Sequence, residues 1–357
     1  MSKFNLIITA DYEVFGNGSG DVLTCMINPT KNLLNICNTT GAKLTIFLDV
    51  CELWAFEEVE KNGKWDLNYS PSEKIKTQLI EAVKNGHDVQ LHFHPQWLNY
   101  KYLGKGNWKL NHDKWRLPSL TDLEIDNLFA KGKQTLEALL QPVKSLYECN
   151  VFRAGGWCIQ PEEAILVSMK KYGFKIESSV AVGVSNPQED RFFDFSKAPD
   201  LPHWKIDSKV TVEESGSLLE IPIFTVEMDG VTRSRFLAKR VVRKIALKPE
   251  GCTGFAETSI KKSKFSKVAD LLKKQRSMFN FSDATTAEEM TWFVEQARKK
   301  YKLIERNIPL VMIGHPKTFA NEKELKEFLF WASNQNDIKF TDYNSYLTEI
   351  QRGELLN

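Results

Sequence analysis

The chain has 357 residues, 42% hydrophobic and 26% charged, with a formal net charge of +2. That length can bury one large core or two ordinary ones, and the composition is that of a globular protein rather than a disordered one. The near balance of charge and the lack of a nucleic-acid motif exclude a general polyanion binder, and no apolar run approaches the ~20 residues of a membrane-spanning helix.

In chain order, the apolar run from Phe4 to Ala10 reads as a buried strand that runs straight into Asp11, Tyr12 and Glu13. Gly16 to Gly20 lack the strand–Gly-x-Gly-x-x-Gly–helix arrangement of a phosphate site and read as a flexible active-site loop. The spacing predicts a helix over 27–39, a strand from Lys43 to Leu48 ending at Asp49, and a helix near 72–85 stopped by Asn85 and Gly86. Residues 88–93 have period two: Val89, Leu91 and Phe93 share one face, while Gln90, His92 and the following His94 fall on the other, and Pro95 ends the strand. The loop 95–118 carries Trp97, Tyr100, Tyr102, Trp108 and Trp115, suited to stacking on sugar rings or to a local core. A helix over 121–141 follows, then a strand over 149–153 that opens Arg153-Ala154-Gly155-Gly156-Trp157. A helix over 161–172, strands over 174–178 and 218–224, a long insert to about 306, and a strand over 308–314 deliver His315 and Pro316, and a helix over 322–334 precedes the final segment. This alternation predicts an α/β fold with a mostly parallel sheet.

Two further features bear on surroundings. The six cysteines are scattered without a C-x-x-C pair, and the N-terminus carries no secretory signal, so free thiols in a cytoplasmic protein are expected. In the insert, Arg233 to Arg235 and Lys239 to Ile245 form a basic amphipathic helix over about 233–247, read as a solvated face or as a peripheral contact with an anionic lipid surface or a diphosphate-linked glycan.

Four apolar strands each end in an acid, a histidine or an arginine. In parallel sheets and barrels, working groups gather at the carboxyl ends of the strands. A chain with six histidines places His87, His92 and His94 within eight residues. The i, i+2 spacing puts the last two imidazoles side by side, and neutral imidazole is a common metal ligand. His87 reads as a cap of the strand turn, and His112 and His203 lie in loop contexts.

The order Thr9-x-Asp11-x-Glu13, Gly86-His87-x-x-x-x-His92, Arg153-x-Gly155-Gly156 and a late His315-Pro316 resembles the polysaccharide deacetylase family (carbohydrate esterase family 4, NodB homology). The stretches Lys171 to Val180 and Leu219 to Ile223 are similar to further family segments, so the resemblance spans roughly residues 4–320. It implies an incomplete, distorted (β/α)7 barrel of the TIM-like kind. The expectation is one domain over 1–357, with an insert about 225–306 and a C-terminal helical segment about 320–357.

The resemblance also implies a metal-dependent hydrolase that removes an N-acetyl group from an acetamido sugar of a cell-surface polysaccharide or its precursor. A divalent metal, zinc first, would be held by Glu13, His92 and His94. Asp11 would be the general base, Arg153 would keep it ionised, and His315, on the same rim across the metal, would be the general acid. Trp157, Tyr12 and Gly155 are expected at the substrate, Trp157 as a wall for the acetyl methyl or as a core residue. Two departures stand out: Tyr12 separates the two acids, and Gln96 occupies the usual place of the second histidine, so Gln96 and Asp49 are alternatives to His94 as third ligand. The rival readings are a same-fold hydrolase of a small non-sugar amide and a catalytically degenerate glycan-binding module.

Overall fold

The computed structural model describes residues 4–246, 252, 274–282, 284–304 and 306–355. At its centre is a nine-stranded sheet built from β1 (Phe4–Tyr12), β2 (Leu44–Asp49), β3 (Asp88–Phe93), β4 (Val151–Ala154), β5 (Ile176–Glu177), β6 (Trp204–Ile206), β7 (Leu218–Glu220), β8 (Ile308–Gly314) and β9 (Ile338–Phe340). The order is β6-β7-β5-β4-β3-β2-β1-β8, with β9 paired to β1, and every pairing is parallel except β6 with β7. β1, β2, β3 and β8 are buried along their whole length, as parallel strands covered on both faces must be.

The sheet curls. Beyond the short β5 and β7, Ile221 donates to Glu177 O and Ile223 to Val180 O, and Phe224 then donates to Val311 O at 3.1 Å. Ile223 therefore bridges Ala181 on one side and Val311 of β8 on the other, bringing the two flanks of the sheet together. Of the predicted strands over 174–178 and 218–224 only Ile176–Glu177 and Leu218–Glu220 are regular, and the chain beyond them crosses between flanks.

The helices lie where turn and cap chemistry puts them. In α1 (Asn28–Thr40), Pro29 occupies the first turn and Gly41, at φ +72°, ends the helix. α2 (Val50–Lys61) starts from Asp49, whose carboxylate accepts from Cys51 N. The sequence reading missed α2, and the reason is physical: Glu52 is buried along with Leu53, Ala55, Phe56 and Val59, so no clean polar face exists. α3 (Pro71–Lys84) is capped by Ser70, and α4 (Asp122–Leu140) by a Thr121–Glu124 capping box. α5 (Glu163–Lys171) follows the arginine segment.

The insert holds an antiparallel pair, Thr225–Met228 with Gln275–Met278, and α6 (Gly230–Ala246), then leads through α7 (Ala287–Lys300) to β8. α6 is the expected basic helix. Arg235 pairs with Glu288 at 3.0 Å, Lys239 pairs with the same carboxylate, and Arg240 pairs with Glu289, so these three cations meet acids of α7. None of the described helices is long and apolar enough to cross a membrane. α8 (Glu322–Ser333) and α9 (Tyr343–Leu355) close the chain, with β9 between them.

One expectation is corrected. Cys25 and Cys252 form a disulfide across 227 residues of sequence, while Cys37, Cys51, Cys149 and Cys158 are buried free thiols. Spacing in sequence carries no sign of such a pair. The aromatic loop is chiefly core: Trp97 and Trp108 are buried and pack at 5.8 Å and 5.4 Å against Phe56 of α2.

Candidate active site

β1 sets the site by alternation. Tyr12 is fully buried and donates to Gln78 Oε1 of α3 at 2.6 Å, which marks the outer face of the strand. Asp11 and Glu13 point to the opposite face. Tyr12 is therefore corrected from a substrate contact to a packing residue.

Parallel register brings the next side chains level. Asp49 of β2 stands beside His92 of β3, and His92 beside Arg153 of β4. His92 Nδ1 lies 2.8 Å from Arg153 O, a carbonyl that can only accept, so Nδ1 carries the proton and Nε2 presents a lone pair. His94, just beyond the strand, is fixed through its backbone N–H to Asp49 Oδ1 at 3.1 Å, and its Nδ1 lies 3.0 Å from the Gln96 amide. As placed, Gln96 Nε2 donates to His94 Nδ1 and to Gly16 O at 3.4 Å; the amide rotated by a half turn would instead accept an Nδ1–H and free His94 Nε2.

Glu13 Oε2 stands 2.5 Å from His94 Nε2 and 3.5 Å from His92 Nε2. All three atoms are buried and face one another, with no partner outside the trio. Three converging buried donor atoms left unpartnered fit a divalent cation, and one carboxylate with two imidazoles suits zinc and its neighbours. The electrostatics agree. Burial disfavours charge on His92, yet Glu13, Asp11 and Asp49 outweigh it and hold the imidazole above its ordinary value, so this point in the protein favours positive charge. Asp49 and Gln96 fall outside the cluster and serve His94 instead, through its backbone and its ring.

Burial alone would raise the Asp11 carboxyl, but Arg153, at 2.8 Å from Oδ1, and the nearby His92 and His315 hold it below the usual carboxylate range. His315, at the end of β8, places Nε2 3.6 Å from Asp11 Oδ2 and 4.0 Å from Glu13 Oε1. The two groups are neighbours on one rim. Burial lowers His315, and the charge of Asp11 opposes that shift. The late loop also supplies a group the sequence reading missed. Lys317 donates to Glu13 Oε1 at 2.6 Å and to Val14 O at 2.9 Å, and it helps to hold Glu13 well below its ordinary value against the effect of burial. Its only signal in sequence is its place two residues after His315.

These groups open into a cavity of about 350 Å³ walled by Phe15, Gly16, Trp115, Gly156 and Trp157. The Gly16–Gly20 stretch is an ordered turn, with Gly18 N donating to Phe15 O at 2.7 Å, and a Cβ at Gly16 would strike the Trp115 ring. Trp157 faces the cavity and meets Phe193 edge-on at 5.9 Å. Gly155 is corrected: a Cβ there would collide with Phe93 O and come within 2.9 Å of the His94 ring, so it admits the ligand-bearing loop, and Gly156 is the glycine on the cavity. The other histidines lie elsewhere. His87 Nδ1 accepts from Leu44 N, His203 meets Tyr346, and His112 stacks on the far side of Trp115.

No protein-family model matches this chain, and no curated protein does. Among solved structures it is similar to a candidate polysaccharide deacetylase from Mycobacterium smegmatis, at 14% identity and TM-score 0.49 over 99% of this chain and 92% of that one. It is similar to PuuE allantoinase at 11% identity and TM-score 0.49, covering 96% and 89% of the two chains. A GH57 branching enzyme from Thermococcus kodakaraensis matches at 12% identity and TM-score 0.48, over 98% and 71%. Likeness at this level does not identify an activity.

Proposed function

We propose that this chain is a metal-dependent amide hydrolase of the polysaccharide deacetylase kind, its curled sheet an incomplete (β/α)7 barrel, which removes the acetyl group from an acetamido sugar of a glycan or glycan precursor. The observation that carries the proposal is the convergence of Glu13 Oε2 with the Nε2 atoms of His92 and His94, buried and without partners outside the trio, on one rim with the Asp11–Arg153 pair and His315.

Glu13, His92 and His94 would hold the ion. A bound divalent cation supplies Lewis acidity, polarising the amide carbonyl and making water a better nucleophile near neutral pH. Asp11, kept ionised by Arg153, accepts the proton of the attacking water. As water adds to the carbonyl carbon and the C–N bond breaks, His315 gives a proton to the departing nitrogen, leaving acetate and a free amine. Phe15, Trp115 and Trp157 wall a cavity near the lower end of the range for small-molecule sites, which suits one acetamido group and the ring that bears it.

The test is metal content of the purified protein together with acetate release from N-acetylglucosamine oligomers and from a sugar nucleotide bearing an acetamido group. One divalent ion per chain, and acetate release lost to a chelator and restored by zinc or cobalt, are expected. Opening of small cyclic amides without action on acetamido sugars would replace the substrate class. Glycan binding with no turnover in the metal-loaded protein would reduce the chain to a binding module.

A further inference from the structure

Every N–H of Arg153 has an acceptor, and one acceptor comes from outside the succession of barrel strands. Nε donates to Ser178 O at 2.9 Å. Nη1 donates to Thr9 Oγ1 at 2.9 Å and to Asp11 Oδ1 at 2.8 Å. Nη2 faces Tyr343 Oη at 3.2 Å and Ser178 Oγ at 3.5 Å. A guanidinium carries five N–H groups in one rigid plane, so fixing its far edge fixes the edge turned to Asp11.

The direction of the bonds follows from the carbonyl at the end of the chain. Ser178 Oγ donates to Ile221 O at 2.7 Å, so it accepts from the Tyr343 hydroxyl, also at 2.7 Å. The Tyr343 oxygen is thereby left to accept from Arg153. Tyr343 is fully buried, meets Phe47 edge-on at 5.9 Å, and Phe47 lies 4.2 Å from the guanidinium carbon. Its place is set by β1 itself: β9 pairs with Phe4–Leu6, and Thr341 N donates to Leu6 O at 3.1 Å just before α9 begins at Tyr343. The strand that carries Asp11 at its top thus anchors, at its bottom, the segment that steadies the partner of Asp11.

We infer that Tyr343 is a positioning residue for the reaction, holding Arg153 so that its Nη1 edge faces Asp11, and that the C-terminal segment from Ile338 is a working part of the centre. This rests on the proposed role of Asp11 as base.

Tyr343→Phe tests it, because the ring and its packing on Phe47 remain while the hydroxyl goes. With tetra-N-acetylchitotetraose as substrate, kcat should fall about 10- to 100-fold with KM level, the cost expected for slight misplacement of a reacting group. In protein labelled at arginine nitrogen, the Arg153 Nε–H signal, assigned by its loss in Arg153→Lys, should exchange with water faster in Tyr343→Phe. Tyr346→Phe, on the same helix but bonded to His203 and Asn307, should change neither reading. Should Tyr343→Phe fail to fold, Ser178→Ala removes the acceptor of the same hydroxyl and should give the same two changes. Unaltered kcat and an unaltered Arg153 signal would overturn the inference. Absence of turnover in the metal-loaded wild type would count against the proposed function, while the Arg153 signal would still decide the positioning.

Discussion

At the scale of single residues, the site falls into two groups by geometry, one proposed to hold the ion and one proposed to move protons. Glu13, His92 and His94 converge on one point, whereas Asp11 is turned to Arg153 and His315. Asp11→Asn should therefore keep full metal content and lose about 10²- to 10⁴-fold in turnover, the usual cost of removing a general base. Loss of metal along with activity, measured by elemental analysis, would make Asp11 a ligand instead. With His315 as the proposed acid, its protonated form is the active one, so kcat/KM should fall as pH rises through its pKa. Burial lowers that pKa, which puts the falling limb on the acid side of an ordinary imidazole. His315→Ala should abolish this limb and slow amide cleavage severely, while an activated acetate ester, whose leaving group needs no proton, loses far less. Equal damage to both substrates would assign His315 a structural part.

At the scale of elements, the pairing of β5 with β7 sets Glu177 directly beside Glu220. Both are fully buried, and Glu177 is occupied by Ser179 N at 2.9 Å and by the Ser179 hydroxyl, which in turn accepts from Ala154 N next to Arg153. Glu220 faces the Glu177 carboxyl and the Val180 N–H instead. Burial raises both carboxyls, and the charge of Glu177 raises Glu220 further, so the folded protein holds a proton that the unfolded chain releases. The sign follows from linkage. The stability that this pair contributes is greatest below the unfolded carboxylate value of about 4.3 and declines as pH rises from there through the raised folded values. Glu220→Gln removes that decline at one group. Its urea midpoint, relative to the wild type, should be higher at pH 8 than at pH 5, and a gap that stays constant or reverses would show that the pair is ionised in the folded protein.

For the whole molecule, the Cys25–Cys252 disulfide ties the insert to the stretch that follows the Gly16–Gly20 turn. Thiol titration in denaturant should give four groups before reduction and six after it. A count of six without reductant would mean that the bond does not form under the conditions of purification. Structural disulfides persist in oxidising surroundings, so a count of four from protein made in a reducing cytosol would require oxidation afterwards.

What the sequence determined by itself is what local periodicity and chain ends encode. The apolar runs at Phe4 and Ile308 foretold β1 and β8, as expected of parallel strands buried on both faces, and the period-two alternation from Val89 foretold β3. The i, i+2 spacing of Asp11 with Glu13 and of His92 with His94 agrees with the side these residues share, although Glu13 and His94 each lie one residue beyond the end of their strand. Tertiary structure alone decided the rest. That His94, rather than Gln96 or Asp49, turns toward Glu13 beside His92 depends on a turn after β3 that the absence of a Cβ at Gly155 makes possible. Lys317 and Tyr343 reach Glu13 and Arg153 from 304 and 190 residues away in sequence. Cys252 reaches Cys25 from 227 residues away. Such contacts leave no periodic trace, because they are set by how β8 and β9 flank β1, and strand order is a property of the folded sheet rather than of any stretch of chain.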